Sequence, residues 1–167
     1  YVVLGATHPS LVKRDGEAYR ESLQDLAAEL GVADNVRFVN EYVDLERLCD
    51  YLQAADVYVT PYLNAAQVVS GTLTYAIALG KPVVSTPYWH AVELLGEGCG
   101  LLTPFRDSAA MGHAIASLLT DPAKRETVAD CAYDVGRQFI WERVAERYLE
   151  VFAQARDSAR AGANEVR

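Results

Sequence analysis

Two loops hold the residues best suited to chemistry. Ser70-Gly71-Thr72 follows an apolar strand and a loop and opens a helix. A serine there caps the helix, while the amides of Gly71, Thr72 and Leu73 lack intrahelical acceptors and point outward with the positive end of the helix dipole. Such an end binds anions, phosphate above all, and Gly71 permits close approach. The same three residues also make an ordinary N-cap without a ligand, and the local pattern leaves both readings open.

The second loop, Ser85 to Glu93, contains Tyr88-Trp89-His90, three large amphipathic side chains where the chain leaves a strand. Aromatic faces pack on sugar rings or bases, and the imidazole adds a donor or acceptor. Equally, one or two of the three can plug the corner between sheet and helix. His90 has no partner visible in the sequence, so it is not read as a general base. Glu93 and Glu97 are spaced i, i+4 on a short helix, but Glu93 reads better as a first-turn carboxylate and Glu97 as a solvated one. Asn40-Glu41-Tyr42-Val43-Asp44 is a polar loop after a strand, able to offer backbone groups to a flat heterocycle.

Composition removes several function classes. The chain has 167 residues, with 15 Lys and Arg against 23 Asp and Glu, for a net charge of −8. Polyphosphate binding needs a basic face, and no basic run exists, so a nucleic-acid partner is not expected. Cys49, Cys99 and Cys131 are odd in number and far apart, which predicts reduced thiols and neither a disulfide framework nor a paired-thiol zinc site. No metal is expected. No apolar run approaches the roughly 20 residues of a membrane span, and no basic n-region precedes the first apolar run, so a cytoplasmic location is expected. The chain starts without Met inside an apolar run, as a piece of a longer protein would.

The elements that must position these loops alternate. Val2-Val3-Leu4, Val36 to Val39, Val57 to Thr60, Pro82 to Ser85 and Gly100 to Leu102 are short apolar strands, the first of them read as buried. Between them run helices with stripes at Tyr19, Leu23, Leu26, Ala27 and Leu30, stopped by Gly31, and at Leu45, Leu48, Cys49 and Leu52, capped by Asp44. A third helix spans about Ser70 to Leu79. Three more follow without strands, with stripes at Met111, Ala114, Ile115, Leu118 and Leu119, at Val128, Cys131, Ala132 and Val135, and at Trp141, Val144, Ala145, Tyr148 and Phe152. This order predicts an α/β fold, a Rossmann-like parallel sheet with helices on both faces, in residues 1–155, with 156–167 a frayed polar tail. Ligands of such sheets sit at the carboxyl ends of the strands, where the loops named above fall.

A nucleophile elbow, a Walker loop and a dinucleotide fingerprint are all missing. A receiver domain is excluded as well, since Leu4-Gly5-Ala6 and Thr60-Pro61 stand where its acidic pair and phosphoacceptor would be.

The ordered set Asn35-Val36-Arg37-Phe38, Ala55-Asp56-Val57 with Pro61, Ala78 to Val84, Glu93, and Trp141 to Tyr148 resembles the C-terminal, donor-binding domain of retaining glycosyltransferases of family 4. These enzymes have the two-domain GT-B architecture. The similarity runs from Tyr1 to about Ala155. It implies transfer of a sugar from a nucleotide-diphosphate sugar, without a metal or other cofactor, to an acceptor bound mostly by a separate N-terminal domain. The resemblance puts the diphosphate on Ser70, Gly71 and Thr72, the donor sugar and ribose near Gln67 and Tyr75, and the base at Asn40, Tyr42 and Val43; the residue types of Trp89 and His90 add them to the donor-sugar side.

Two departures accompany it. The two Glu of the family motif fall at Gln67 and Tyr75, so neither charged acceptor is present, and charge-assisted hydrogen bonds are roughly twice as strong as neutral ones. The family's first strand and helix, at the middle of its sheet, have no counterpart, so either neighbouring strands close the gap or another chain fills it by dimerisation or strand exchange. The isolated chain is expected not to catalyse transfer. A non-catalytic nucleotide-binding or regulatory module is the alternative. A sugar-nucleotide epimerase matches less of the chain.

Overall fold

A computed structural model describes residues 1–165, with the side chains of Glu97 and of 159–165 outside the description. The fold is of the Rossmann-like α/β type, with parallel sheets flanked by helices. The chain divides into two compact units, Tyr1–Leu48 and Cys49–Arg167.

In the first unit, β1 (Val2–Leu4) pairs in parallel with β2 (Arg37–Val39), Val3 lying opposite Phe38. Between them run α1 (Pro9–Asp15) and α2 (Ala18–Glu29). Helix α1 starts at Pro9, since proline suits the first helical position, and His8 Nδ1 accepts the Ser10 amide as the cap. As expected, Gly31 ends α2: at φ +67 it donates to Ala28 O while Val32 donates to Ala27 O. Strand β1 is not buried as its apolar sequence predicts, because Val2 is exposed and Val3 and Leu4 are only half-buried. After β2, Asp44 Oδ1 accepts the Arg47 amide at 2.9 Å and caps α3 (Leu45–Ala54), which carries the chain past the boundary.

In the second unit, β3 (Tyr58–Thr60), β4 (Val83–Ser85) and β5 (Leu101–Leu102) form a parallel sheet in the order β3-β4-β5. β4 is central, and its three residues have no exposed surface. The helices are α4 (Gly71–Ala78), α5 (Trp89–Leu95), α6 (Ser108–Thr120), α7 (Pro122–Gly136) and α8 (Trp141–Glu165). Val84, Leu118 and Val128 form one cluster of the core, with Val57, Leu101, Met111, Ala114 and Ile115 packed on it. Helices α4 and α7 approach so closely that a Cβ on Gly136 would lie 2.6 Å from Ala78 Cα and from Ile77 O. Gly80, at φ +65, turns the chain from α4 into β4.

Three expectations need correction. Cys99 and Cys131 are joined as a disulfide, with Cα atoms 4.8 Å apart, and Cys49 alone is free. Their separation of 32 residues argued against pairing, but α7 returns the chain beside the turn before β5, and distance along the chain is not distance in space. The hydrogen bonds define two sheets, β1-β2 and β3-β4-β5, where one was expected. Helix α8 continues through the expected tail to Glu165; residues 166–167 lie outside the described residues. The predicted stripe of α8 is present but unburied, with Trp141 84% exposed.

Candidate functional site

β3 ends at Thr60, a loop covers residues 61–69, and α4 begins at Gly71. Ser70 is extended (φ −137, ψ 103), so its side chain turns back over the first helical turn, and its Oγ accepts the Leu73 amide at 3.4 Å. The cap forms as the sequence implies, but it takes one of the three amides expected to be free. Those of Gly71 and Thr72 have no acceptor among the described residues. Gly71 is exposed, and a Cβ built on it meets nothing within 4 Å. The turn is therefore open, with two unpartnered donors at the positive end of an α-helix. That arrangement can receive an anion.

The Thr72 hydroxyl is set from below. Tyr58, on β3, donates to Thr72 Oγ1 at 2.7 Å. Burial pushes the Tyr58 phenol up to about 12, against the opposing pull of the Thr72 hydrogen bond, so it stays a neutral donor. With that lone pair occupied, the Thr72 proton is free to point at an anion or at Ser70 Oγ, 3.5 Å away.

The run Tyr88-Trp89-His90 divides by role. Tyr88 is the plug: it is fully buried, its hydroxyl lies 3.3 Å from Thr60 Oγ1, and its ring centroid is 5.2 Å from that of Tyr62. Trp89 is 61% exposed. His90 is half-buried and turned toward the loop ahead of α4, where its Nδ1 accepts the Ser70 amide at 2.9 Å and its own amide donates to Gln67 O at 3.2 Å. Gln67 donates from Nε2 to Val69 O at 2.7 Å. Gln67, Ser70, Gly71, Thr72 and His90 thus come together, with Trp89 tied to the same loop through its amide on Ala65 O at 3.0 Å. Tyr75 is exposed on α4, one turn beyond Gly71.

Asn40, Tyr42 and Val43 belong to the first unit. Tyr42 is 92% exposed and Val43 half-buried, and the loop is braced by Arg47, whose guanidinium donates to both carboxylate oxygens of Glu41 at 2.6 and 3.0 Å. Glu93 is the fifth residue of α5 and so lies past its first turn, contrary to expectation, and α5 ends at Leu95 before reaching Glu97.

The sequence did not reveal two further contact sets. The bonds from Tyr58 to Thr72 and from Ser70 to His90 span 14 and 20 residues, and no local spacing signals them. In the first unit, Arg20 donates to Gly5 O at 2.9 Å, Thr7 Oγ1 at 3.2 Å and Glu17 Oε2 at 3.1 Å, fixing the chain beyond β1. The Thr7 hydroxyl, with Arg20, holds the Glu17 carboxyl below its ordinary range.

Two cavities share no residue with the Ser70 turn. One, of about 380 Å³, lies among Asp56, Lys81, Arg125 and Glu126; the other, of about 730 Å³, lies against the disulfide beside Glu93 and Asp134. Among the described residues no group of three or more His, Cys, Asp or Glu could hold a metal, and no helix is long and apolar enough to cross a membrane.

The profile of the family described as glycosyl transferases group 1 matches residues 9–121, more than half of the chain. A D-inositol 3-phosphate glycosyltransferase from Thermomonospora curvata is 33% identical over 149 residues, 89% of this chain and 34% of the relative. One from Xylanimonas cellulosilytica is 34% identical over 139 residues, 83% of this chain and 32% of the relative. Sucrose-phosphate synthase from Thermosynechococcus elongatus superposes with a TM-score of 0.75 at 27% identity, covering 94% of this chain and 38% of its own. Anabaena Alr3699/HepE, solved in complex with UDP, superposes at 0.75 with 22% identity over 92% of this chain and 40% of its own, a likeness of fold. The chain spans about a third of the length of the curated relatives it matches.

Proposed function

The chain belongs to the group 1 glycosyltransferases, and on that premise we propose that it is the donor-binding part of an enzyme that moves a sugar from a nucleotide-diphosphate sugar. The observation that carries this reading is the open turn at Gly71 and Thr72: two free amides and a helix N-terminus, with nothing above Gly71 to block a diphosphate. The complexes of HepE with UDP and with UDP-glucose support a uridine nucleotide as the first ligand to try. The family resemblance adds retention of anomeric configuration, an acceptor held by a separate domain, and no transfer by this part alone. It also assigns the base to Asn40, Tyr42 and Val43, a contact of the first unit taken by itself. Pairing of this chain with a second copy, or with a strand from elsewhere in the parent protein, is proposed on the same ground, since β1 and β3 each have one edge that no described strand covers.

The test is titration of the chain with UDP-glucose and with UDP, followed by amide NMR. The expected response is movement of the Gly71 and Thr72 signals. No response to any nucleotide at millimolar concentration overturns the reading.

One observation favours a second reading, a nucleotide-binding module without transfer activity. Gln67 and Tyr75 replace the two motif carboxylates, and one N–H of the Gln67 amide is given to Val69 O, leaving a neutral oxygen and one N–H, with no charged acceptor, for a sugar hydroxyl. Loss of transfer by the parent protein on Gln67→Ala supports the enzyme; unchanged cellular function of that variant supports the module.

A further inference from the structure

We propose that His90 is a positioning residue for the phosphate turn and acts through the peptide unit that joins Val69 to Ser70, without contacting the ligand. The inference rests on the nucleotide-sugar reading and deepens it.

That peptide unit is pinned from both ends. Its carbonyl, Val69 O, accepts from Gln67 Nε2 at 2.7 Å, and its amide, Ser70 N–H, donates to His90 Nδ1 at 2.9 Å. A planar unit held by both polar groups cannot rotate, because a flip would exchange donor for acceptor at two bonds at once. Val68 and Val69 are 62% and 66% exposed, so ahead of the buried Ser70 the segment entering α4 has little burial to fix it. The two side-chain bonds set the orientation of Ser70, and therefore the direction in which the next two amides, of Gly71 and Thr72, leave the turn.

His90 is itself anchored, since its own amide donates to Gln67 O at 3.2 Å and the neighbouring Trp89 amide donates to Ala65 O at 3.0 Å. One residue therefore grips the loop as a donor at 67 and as an acceptor at 70. Accepting at Nδ1 requires a lone pair there, so the proton of the neutral ring sits on Nε2. That requirement separates positioning from direct contact. Asparagine places an acceptor oxygen close to the location of Nδ1, glutamine places its amide close to that of Nε2, and alanine supplies neither.

The experiment is titration of the wild-type chain and of His90→Asn, His90→Gln and His90→Ala with UDP-glucose, with amide spectra confirming that each variant is folded. A nitrogen-15 measurement of the wild-type ring tautomer, which needs no variant, accompanies it. The expected result is a neutral ring protonated at Nε2, binding by His90→Asn within about threefold of wild type, and a loss of about tenfold in His90→Gln and His90→Ala. Three results overturn the role: a neutral ring protonated at Nδ1, affinity kept by His90→Gln and lost by His90→Asn, or equal affinity in all four proteins. A wild-type chain that binds no nucleotide removes the underlying reading and this role with it, an outcome distinct from wild-type binding with the wrong order among the variants.

Discussion

The two units of this chain bury their apolar residues to different degrees. The second unit has a core without exposed surface, built from Leu73, Ala76, Ile77, Val83, Val84, Leu118 and Ala132. The first holds only Ala27 and Val39 as buried apolar residues, while Tyr19, Leu26 and Leu30 on its predicted helical face are exposed. Both units alternate strands and helices, so alternation alone does not make a core. A strand needs neighbours on both edges and helices over its faces before its side chains leave water, and β4 has this where β1, in a two-stranded sheet, does not. The turn at Ser70 to Thr72 stands on the well-packed unit and the loop from Asn40 to Val43 on the other.

The sharpest way to break this contrast is a matched pair of truncations. Ile77→Ala removes fully buried methyl groups and should cost about 2–5 kcal/mol in denaturant melts, whereas Leu26→Ala, on an exposed face, should cost under about 0.5 kcal/mol. Equal costs would erase the distinction. Hydrogen exchange should agree, with the Val83 and Val84 amides among the slowest and those of β1 fast. A smaller loss, about 1–3 kcal/mol, is expected for Gly136→Ala, because the added Cβ meets the backbone of α4 at 2.6 Å. Unchanged melting there would mean that α4 and α7 are free to separate.

Tyr58 sharpens the comparison through pH. Its phenol is raised from 10.0 to about 12, so above pH 10 the unfolded chain releases a proton that the folded chain keeps. Stability from this group is complete below pH 10 and falls as pH rises toward 12; Tyr58→Phe should flatten that decline in alkaline melts. A decline equally steep in the variant would locate the effect elsewhere. Gly71→Ala should leave melting within about 0.5 kcal/mol, since its Cβ enters open space, yet weaken UDP-glucose binding several-fold by occupying the approach to the amides. The mildest test is chemical: unreduced protein should present one alkylatable thiol, Cys49, and reduced protein all three.

Much of this was legible in the residues. Gly31 and Asp44 marked a helix end and a helix start because capping is local chemistry, decided within a few positions, and the structure uses both. The Ser70 cap was legible for the same reason. What failed depended on neighbours distant in sequence. Tyr88 and Trp89 are adjacent and similar in type, yet one is fully buried and the other mostly exposed, since only the packing of α5 against the sheet distinguishes them. Cys99 and Cys131 looked unrelated until α7 brought them to one place.

The sequence alone therefore determined the alternation of strands and helices, the family, and a helix start suited to phosphate, because these follow from periodicity, ordered motifs and short-range hydrogen bonding. Tertiary structure alone decided that His90 and Tyr58 reach the turn, and which apolar residues leave water. Each of these requires groups 14 or more residues apart, or a completed sheet, to meet in space, and one-dimensional spacing does not encode that meeting.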